Sequence, residues 1–222
     1  MVEIAVIVPV IERPWAATPF MESWRKATSG RSKVYTVCQL DDADTWKAWS
    51  EEEGVTMIVA KGPRYGTKVN QGYRATREPW LLLVGDDVQF HYGWEDAVLE
   101  AGKRGAVVST NDCHRDDLHQ LAVHPAFSRS YIELQGANAD GPGGLASSEY
   151  FHQYVDQEWS YIARTRGELV YAPDAVIRHN HPVFGAAMDD HIYQLAESHH
   201  DEDYQTALRR LVAWEENRCT SP

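Results

Sequence analysis

The sequence has few of the features that mark secreted or membrane-spanning proteins. Its 222 residues include only three cysteines, Cys38, Cys113 and Cys219, an odd number at unrelated spacings. This predicts no disulfide framework and fits a reducing compartment. No segment approaches the roughly 20 consecutive apolar residues of a membrane-spanning helix. The first ten residues carry no basic leader. We therefore expect a soluble, cytoplasmic protein with no membrane span and no signal peptide.

Basic residues are also scarce, because 21 Lys and Arg stand against 33 Asp and Glu, and the formal net charge is −12. Proteins that hold nucleic acid through its phosphates rely on Lys and Arg, so the composition gives no strong nucleic-acid signal. The only dense basic cluster, Arg25, Lys26, Arg31 and Lys33, is typical of a solvated helix end and loop. Eight Trp, eleven Tyr and an apolar fraction of 43% indicate a folded globular chain.

The sequence does contain a regular alternation of strand and helix patterns over its first 110 residues. Short apolar runs rich in β-branched residues alternate with segments of helical periodicity. The predicted strands are 4–10, 34–40, 55–60, 80–84 and 106–109, and the predicted helices are 15–29, 45–53, 67–77 and 93–103. This order predicts an α/β fold with an open, mostly parallel sheet and helices on both faces.

The pattern loosens after residue 110. Residues 136–148 are rich in Gly, Ala and Ser and predict a loop over the site. The later predicted elements are a helix over 151–166, two short strands at 169–172 and 175–178, and one or two helices in a C-terminal helical tail, 188–222. We therefore divide the chain into one domain, 1–187, and this tail. The domain has two functional halves, at about 1–110 and about 111–187.

Polar residues follow three of the predicted strands. Pro9 to Arg13 follow the first strand, Asp41 and Asp42 the second, and Asp86 and Asp87 the fourth. Ligands of open α/β sheets bind outside the carboxyl ends of the strands, so we expect these residues to share a site. Carboxylates are the ligands that Mg²⁺ and Mn²⁺ prefer. A solvated Asp-Asp turn would explain the last pair equally well.

The second half of the chain adds two further groups of candidates. His179 and His181 end the last predicted strand, where each is either a metal ligand or a hydrogen-bonded loop histidine. Asp156 and Glu158 stand near the start of a helix, and an offset of two residues points them to different faces. A lone acid at a helix start is most often a cap or a partner of the helix dipole.

Five segments in one order give these candidates a common context. They are IVPVIERP, VCQLDDAD, YGTKVNQGYRATREPWLLLVGDDV, YVDQEWSYIAR and YAPDAVIRHNHP. Their order resembles the family-2-like glycosyltransferases of the GT-A fold. The resemblance runs from about residue 4 to residue 182. It implies a Rossmann-like GT-A sheet, a nucleotide-sugar donor (usually a UDP- or dTDP-sugar), and Mn²⁺ or Mg²⁺ as cofactor.

The resemblance also assigns roles to the candidate residues. The nucleotide-binding positions would be Pro9, Val10, Arg13, Asp41, Asp42, Lys68, Asn70 and Asp86. Asp87 would bind the metal, with His179 as the family's histidine ligand and His181 as a second candidate. The family's Asp-x-Asp element corresponds to residues 85–87, and its first acid is here Gly85.

The acceptor side follows from the same comparison. Asp156 takes the place of the catalytic base, and Glu158, Trp159 and Tyr161 are expected to line the acceptor site. The implied activity is an inverting, metal-dependent transfer of a sugar to an acceptor hydroxyl. In this mechanism Asp156 takes the hydroxyl proton while the metal stabilises the leaving diphosphate.

Two alternatives from other classes remain open at this point. A sugar-phosphate nucleotidyltransferase would need a Gly-rich phosphate loop after the first strand, where VIERPWAATP has no glycine. A non-catalytic nucleotide- or glycan-binding module on the same fold is the other alternative, because the first acid of the Asp-x-Asp element is missing.

Overall fold

The computed structural model describes residues 1–220 and contains eight strands and eight α-helices in that range. The strands are β1 (Ile4–Pro9), β2 (Ser32–Cys38), β3 (Val55–Val59), β4 (Trp80–Leu83), β5 (Val88–Phe90), β6 (Val107–Asn111), β7 (Pro125–Ser128) and β8 (Leu169–His179). The helices are α1 (Ala17–Ala27), α2 (Ala43–Ser50), α3 (Tyr65–Ala75), α4 (Trp94–Ala101), α5 (Arg129–Leu134), α6 (Val155–Thr165), α7 (His191–Ser198) and α8 (His200–Thr220). The predicted α/β class with a C-terminal helical tail is confirmed.

All eight strands belong to one sheet, in the order β3-β2-β1-β4-β7-β6-β8-β5. The pairings β1–β2, β2–β3, β1–β4 and β6–β8 are parallel. The pairings β4–β7, β6–β7 and β5–β8 are antiparallel, so the sheet is mixed. The parallel half is the part that the sequence predicts, and the antiparallel strands β5 and β7 are two elements that it misses.

The first strand shows why this sheet is buried on both faces. Ile4, Val6 and Val8 belong to a hydrophobic core shared with α1, α2 and α4, whereas Ile7 belongs to a second core shared with α3 and α6. Successive side chains of a strand point to opposite faces, so a strand covered on both sides is apolar throughout. Helix α3 approaches closely at Gly72, where a Cβ atom would come within 2.5 Å of Cγ2 of Ile7.

The second half departs from the predicted elements in three places. Residues 169–179 form a single strand, with a register shift against β6 at Thr110 and Asn111, instead of two short strands. Helix α6 begins at Val155 because Tyr154 has a left-handed backbone (φ +64°) that ends the preceding turn. Helix α5 follows β7 directly and was not predicted.

The C-terminal helices pack on the body of the molecule in two different places. Helix α8 is fastened by Asp203, which is buried and accepts the backbone N–H groups of residues 151, 152 and 153. Helix α7 lies across the end of β1 and the segment that follows β4, as described below. Between residues 1 and 220, no helix is both long enough and apolar enough to cross a membrane.

Candidate active site

A cleft of about 920 Å³ opens at the carboxyl end of β4, beside the last residues of β8 and the first turn of α6. Five of the residues predicted for the site line it, namely Asp87, Asp156, Trp159, His179 and His181. Open α/β sheets bind their ligands at this edge. We therefore take the cleft as the candidate active site.

Asp87 is the most constrained carboxylate of the cleft. Its backbone carbonyl accepts the N–H of Asn180 at 2.8 Å, which ties the turn after β4 to the end of β8. Its Oδ2 lies 3.3 Å from Nε2 of His179 and accepts the hydroxyl of Tyr193 at 2.7 Å. Burial by itself would raise the pKa of Asp87, but these two partners outweigh it and hold the pKa below its ordinary value. The carboxylate is therefore ionised.

The pair formed by Asp87 and His179 suits a divalent metal, because a carboxylate oxygen and an imidazole nitrogen, both common metal ligands, lie 3.3 Å apart. In residues 1–220, no three His, Cys, Asp or Glu side chains form a ready-made metal site. A metal bound here would take its remaining ligands from substrate phosphates and water, which is how Mg²⁺ is commonly held. Nδ1 of His181 accepts the N–H of Val183, so only its Nε2 is free for such a role.

The glycine that replaces the first acid of the predicted Asp-x-Asp element has a physical explanation. A Cβ atom at Gly85 would lie 2.5 Å from Oδ1 of Asp87. The carboxylate of Asp87 therefore occupies the space that a side chain at position 85 would need. The observed orientation of the Asp87 side chain therefore requires a glycine at position 85.

Asp86 is part of a buried ion-pair cluster. Oδ1 of Asp86 accepts a hydrogen bond of 3.0 Å from Nη1 of Arg13. Arg13 donates two further hydrogen bonds, each of 2.9 Å, to the carboxylate of Asp190. Burial raises the pKa of Asp86, and Arg13 opposes that rise. The guanidinium of Arg13 also lies 3.9 Å from the ring centre of Tyr193.

Asp156 lies in the first turn of α6 and lines the same cleft as Asp87. Its Oδ1 accepts the N–H of Gln157 at 2.9 Å. Burial raises the pKa of Asp156, and the charge of Arg115 opposes the rise only in part. A carboxylate with a raised pKa and no cationic partner within hydrogen-bond distance is a stronger base than an ordinary aspartate.

Most of the residues predicted to hold the nucleotide lie at the end of β1, and none of them lines the cleft. Nζ of Lys68 is buried and donates to the carbonyl of Val10 at 2.6 Å, and burial lowers the pKa of Lys68. Asp42 caps α2 and also accepts the N–H of Glu12 at 2.6 Å. Asp41 is exposed beside it.

Three other predicted residues also lie outside the cleft and have partners of their own. The amide of Asn70 pairs with the backbone of Ala146, donating at 2.6 Å and accepting at 3.2 Å. Glu158 is buried against Arg210, with a contact of 2.9 Å, and the hydroxyl of Tyr161 donates to Glu215. These partners leave none of the three in the acceptor or nucleotide part of the site.

The Gly-rich segment 136–148 is a loop, as predicted, but its predicted position over the site is wrong. None of its residues lines the cleft. Leu145 and Ala146 are buried, and Nε1 of Trp159 donates to the carbonyl of Leu145 at 2.6 Å. These contacts, together with those of Asn70, hold the loop against the body.

Sequence reasoning missed three residues that the fold brings to the predicted site residues, two of them to Asp87 and His179 and one to Arg13. His124 precedes β7, is buried, and packs its ring edge-on to that of His179 at 4.6 Å between ring centres. Burial lowers the pKa of His124 to about 3, so its ring is neutral. Tyr193 and Asp190 come from α7 and the residue before it. The one signal in the sequence is Asp190 itself, an aspartate at the start of a helix, where N-cap residues stand. In the structure its carboxylate accepts the N–H groups of residues 192 and 193.

No family model matches the sequence, and no curated protein matches it. Solved structures match the fold. A mannosyltransferase from Pyrobaculum calidifontis, in complex with GDP-Man and Mn²⁺, superposes with a TM-score of 0.67 at 16% identity and covers 93% of this chain. The chain spans 64% of the length of that protein.

Two other similar structures have still lower sequence identity. One is glucosyl-3-phosphoglycerate synthase from Mycobacterium tuberculosis, in complex with Mn²⁺, UDP and glucosyl-3-phosphoglycerate. It has a TM-score of 0.65 at 12% identity, and the match covers 96% of this chain and 79% of the synthase. TarS from S. aureus has a TM-score of 0.60 at 12% identity, and the match covers 79% of this chain and 36% of TarS. The chain has the GT-A fold of nucleotide-sugar glycosyltransferases.

Proposed function

We propose that this protein is an inverting glycosyltransferase that uses a divalent metal to move a sugar from a nucleotide diphosphate to an acceptor hydroxyl. The observation that carries the proposal is the placement of Asp87, His179 and Asp156 in one cleft of a GT-A fold. A carboxylate–imidazole pair serves the leaving diphosphate, and a separate carboxylate serves the acceptor.

The chemistry assigns each of these groups a separate task. The acceptor oxygen forms a bond to the anomeric carbon as the bond from that carbon to the diphosphate oxygen breaks. Asp156 takes the proton from the acceptor hydroxyl, and the raised pKa of Asp156 makes the transfer more favourable. A divalent cation between Asp87, His179 and the diphosphate would neutralise the charge that develops on the leaving group. One displacement from the opposite face inverts the anomeric configuration.

The donor is proposed to be a nucleotide sugar of the UDP or dTDP type, as the sequence resemblance implies. The similar structures were determined with GDP-Man in one case and with UDP in another, so the test must include several bases. The end of β1, with Pro9, Arg13 and Lys68, supplies the contacts for the nucleotide.

The experiment is a screen of UDP-, dTDP-, GDP- and ADP-sugars for thermal stabilisation and slow donor hydrolysis, with Mn²⁺ and with EDTA. It needs no acceptor, because water can replace the acceptor hydroxyl. We expect one donor class to stabilise the protein and to be cleaved only when Mn²⁺ is present.

The control for that screen is a pair of variants that remove the same charge at two places. Asp87→Ala should abolish the metal-dependent stabilisation, whereas Asp174→Ala, in the exposed bulge of β8, should leave it intact. Absence of nucleotide-sugar binding under all of these conditions, in the wild-type protein and in Asp190→Asn alike, contradicts the proposed function.

A further inference from the structure

Helix α7 lies across the residues that are proposed to bind the donor nucleotide. Between α7 and the end of β1 there remains a pocket of only about 50 Å³. It is lined by Pro9 and Lys68 from the body and by Ile192 and Ala196 from α7. Pockets that bind small molecules measure roughly 300–1,000 Å³, and one water takes up about 30 Å³. A nucleoside therefore does not fit there while α7 keeps this position.

The polar contacts that hold α7 use the same groups that the donor needs. The carboxylate of Asp190 accepts two parallel hydrogen bonds, from Nε and Nη2 of Arg13. A phosphate group binds arginine in the same bidentate way. The hydroxyl of Tyr193 donates to Oδ2 of Asp87, the oxygen that faces His179. Nε2 of His191 lies 2.8 Å from the carboxylate of Glu12.

The packing of α7 is slight compared with these polar contacts. Only Ile192 and Ala196 of its eight residues are buried. The segment that leads into it, residues 185–190, has no regular secondary structure, and the side chain of Asp190 is 23% exposed. Segments with few buried apolar contacts open at a low free-energy cost.

We infer that α7 is an autoinhibitory lid, which covers the nucleoside part of the donor site at the end of β1 in this structure and must be displaced before a nucleotide diphosphate reaches Arg13 and Lys68. This inference rests on the proposed function, because it concerns access to the same site. Asp190 and Tyr193 are the residues that hold the lid closed. Donor and lid compete, so weakening the lid strengthens the apparent binding of the nucleotide.

The test is the affinity of the full chain for UDP with Mn²⁺, measured by calorimetry, in wild type, Tyr193→Phe and Asp190→Asn. UDP is replaced by the nucleoside diphosphate of the donor if the screen selects another base. Asparagine can keep the N-cap of α7 through its one oxygen, while it removes the charge that pairs with Arg13 and one of the two hydrogen bonds from it. We expect each variant to bind about five- to tenfold more tightly than wild type, since each removes one contact of the closed lid. Tyr204→Phe removes a tyrosine hydroxyl from α8 and is expected to change nothing.

Hydrogen exchange supplies a second readout. Binding of UDP with Mn²⁺ should speed the exchange of the backbone amides of α7 in the wild-type protein. Unchanged or weaker binding in both variants, or slower exchange of α7 on binding, would overturn the lid and make α7 part of the donor site. If neither wild type nor variants bind any nucleotide, the proposed function fails, and the lid fails with it. Binding of the nucleotide by the variants but not by the wild-type protein supports both the proposed function and the lid.

Discussion

Two carboxylates that stand two residues apart on α6 have opposite surroundings. Glu158 is buried and satisfied, since it accepts Nε and Nη2 of Arg210, the hydroxyl of Tyr150 and the N–H of Ala139. Asp156 faces the cleft and accepts only the backbone N–H of the next residue. Under the proposed function, one helix turn serves both stability and chemistry. The paired carboxylate joins α6 to α8, whereas the unpaired one stays basic.

The largest effect that we expect from this contrast is on turnover. Asp156→Asn keeps the shape of the side chain but cannot accept a proton, so donor cleavage with Mn²⁺ should fall by about 10²–10⁴-fold. The affinity for the nucleotide diphosphate should stay within about twofold, because Asp156 is on the acceptor side. The measurement is the rate of donor cleavage at saturating donor. Cleavage at the wild-type rate would remove Asp156 from the mechanism.

The second effect concerns the other carboxylate and is one of stability. Glu158→Gln removes one partner of a buried ion pair, and we expect the free energy of unfolding to fall by about 3 kcal/mol. Chemical denaturation of the full chain measures this loss. Donor cleavage per folded molecule should be unchanged at a temperature where the variant is folded. A loss of cleavage with intact stability would show that Glu158 belongs to the site.

The third effect tests the link between Gly85 and Asp87. A Cβ at position 85 would lie 2.5 Å from Oδ1 of Asp87, so Gly85→Ala should turn the carboxylate away from His179. Displaced or poorly oriented metal ligands cost about tenfold or more in affinity. The affinity for Mn²⁺, measured by electron paramagnetic resonance in the presence of UDP, should fall by about this factor. Gly62→Ala is the control, because a Cβ there meets no atom within 4 Å.

The smallest effect is on the stability of the Asp156→Asn variant itself. Burial raises the pKa of Asp156, so the folded state binds a proton more readily than the unfolded chain. Stability therefore falls as the pH rises through this raised pKa, and at neutral pH the ionised carboxylate destabilises the fold. We expect Asp156→Asn to raise Tm by about 2 °C at pH 7, and by less at pH 4. A lower Tm at pH 7 would indicate a structural role for the charge.

The sequence predicts the parallel half of this fold well because its central strands, β1 and β4, are buried on both faces and consist of continuous apolar runs. It misses β5, which has only three residues, and β7, which starts at Pro125 and pairs antiparallel on both sides. A short strand of this kind has neither the length nor the flanking turn signals by which a strand is recognised.

The residues of the candidate site likewise divide into those that the sequence predicts and those that depend on tertiary packing. Strand-end residues such as Asp87 and His179 are candidates by their position, since the carboxyl ends of strands meet at one edge, and the family resemblance assigns their roles. Tyr193 reaches Asp87 across 106 residues of sequence, and no local pattern encodes such a contact. Glu158 and Tyr161 were predicted on the acceptor side, but their partners are on α8, whose position depends on tertiary packing.

The central claim is that Asp87 and His179 hold a divalent metal together with the diphosphate of the donor. Its most direct test is calorimetry of UDP, or of the nucleoside diphosphate that the donor screen selects, against the wild-type protein with Mn²⁺ and with EDTA. We expect binding in Mn²⁺ that is at least tenfold tighter than binding in EDTA, and we expect the difference to vanish in Asp87→Ala. Equal affinity with and without the metal in the wild-type protein would contradict the account.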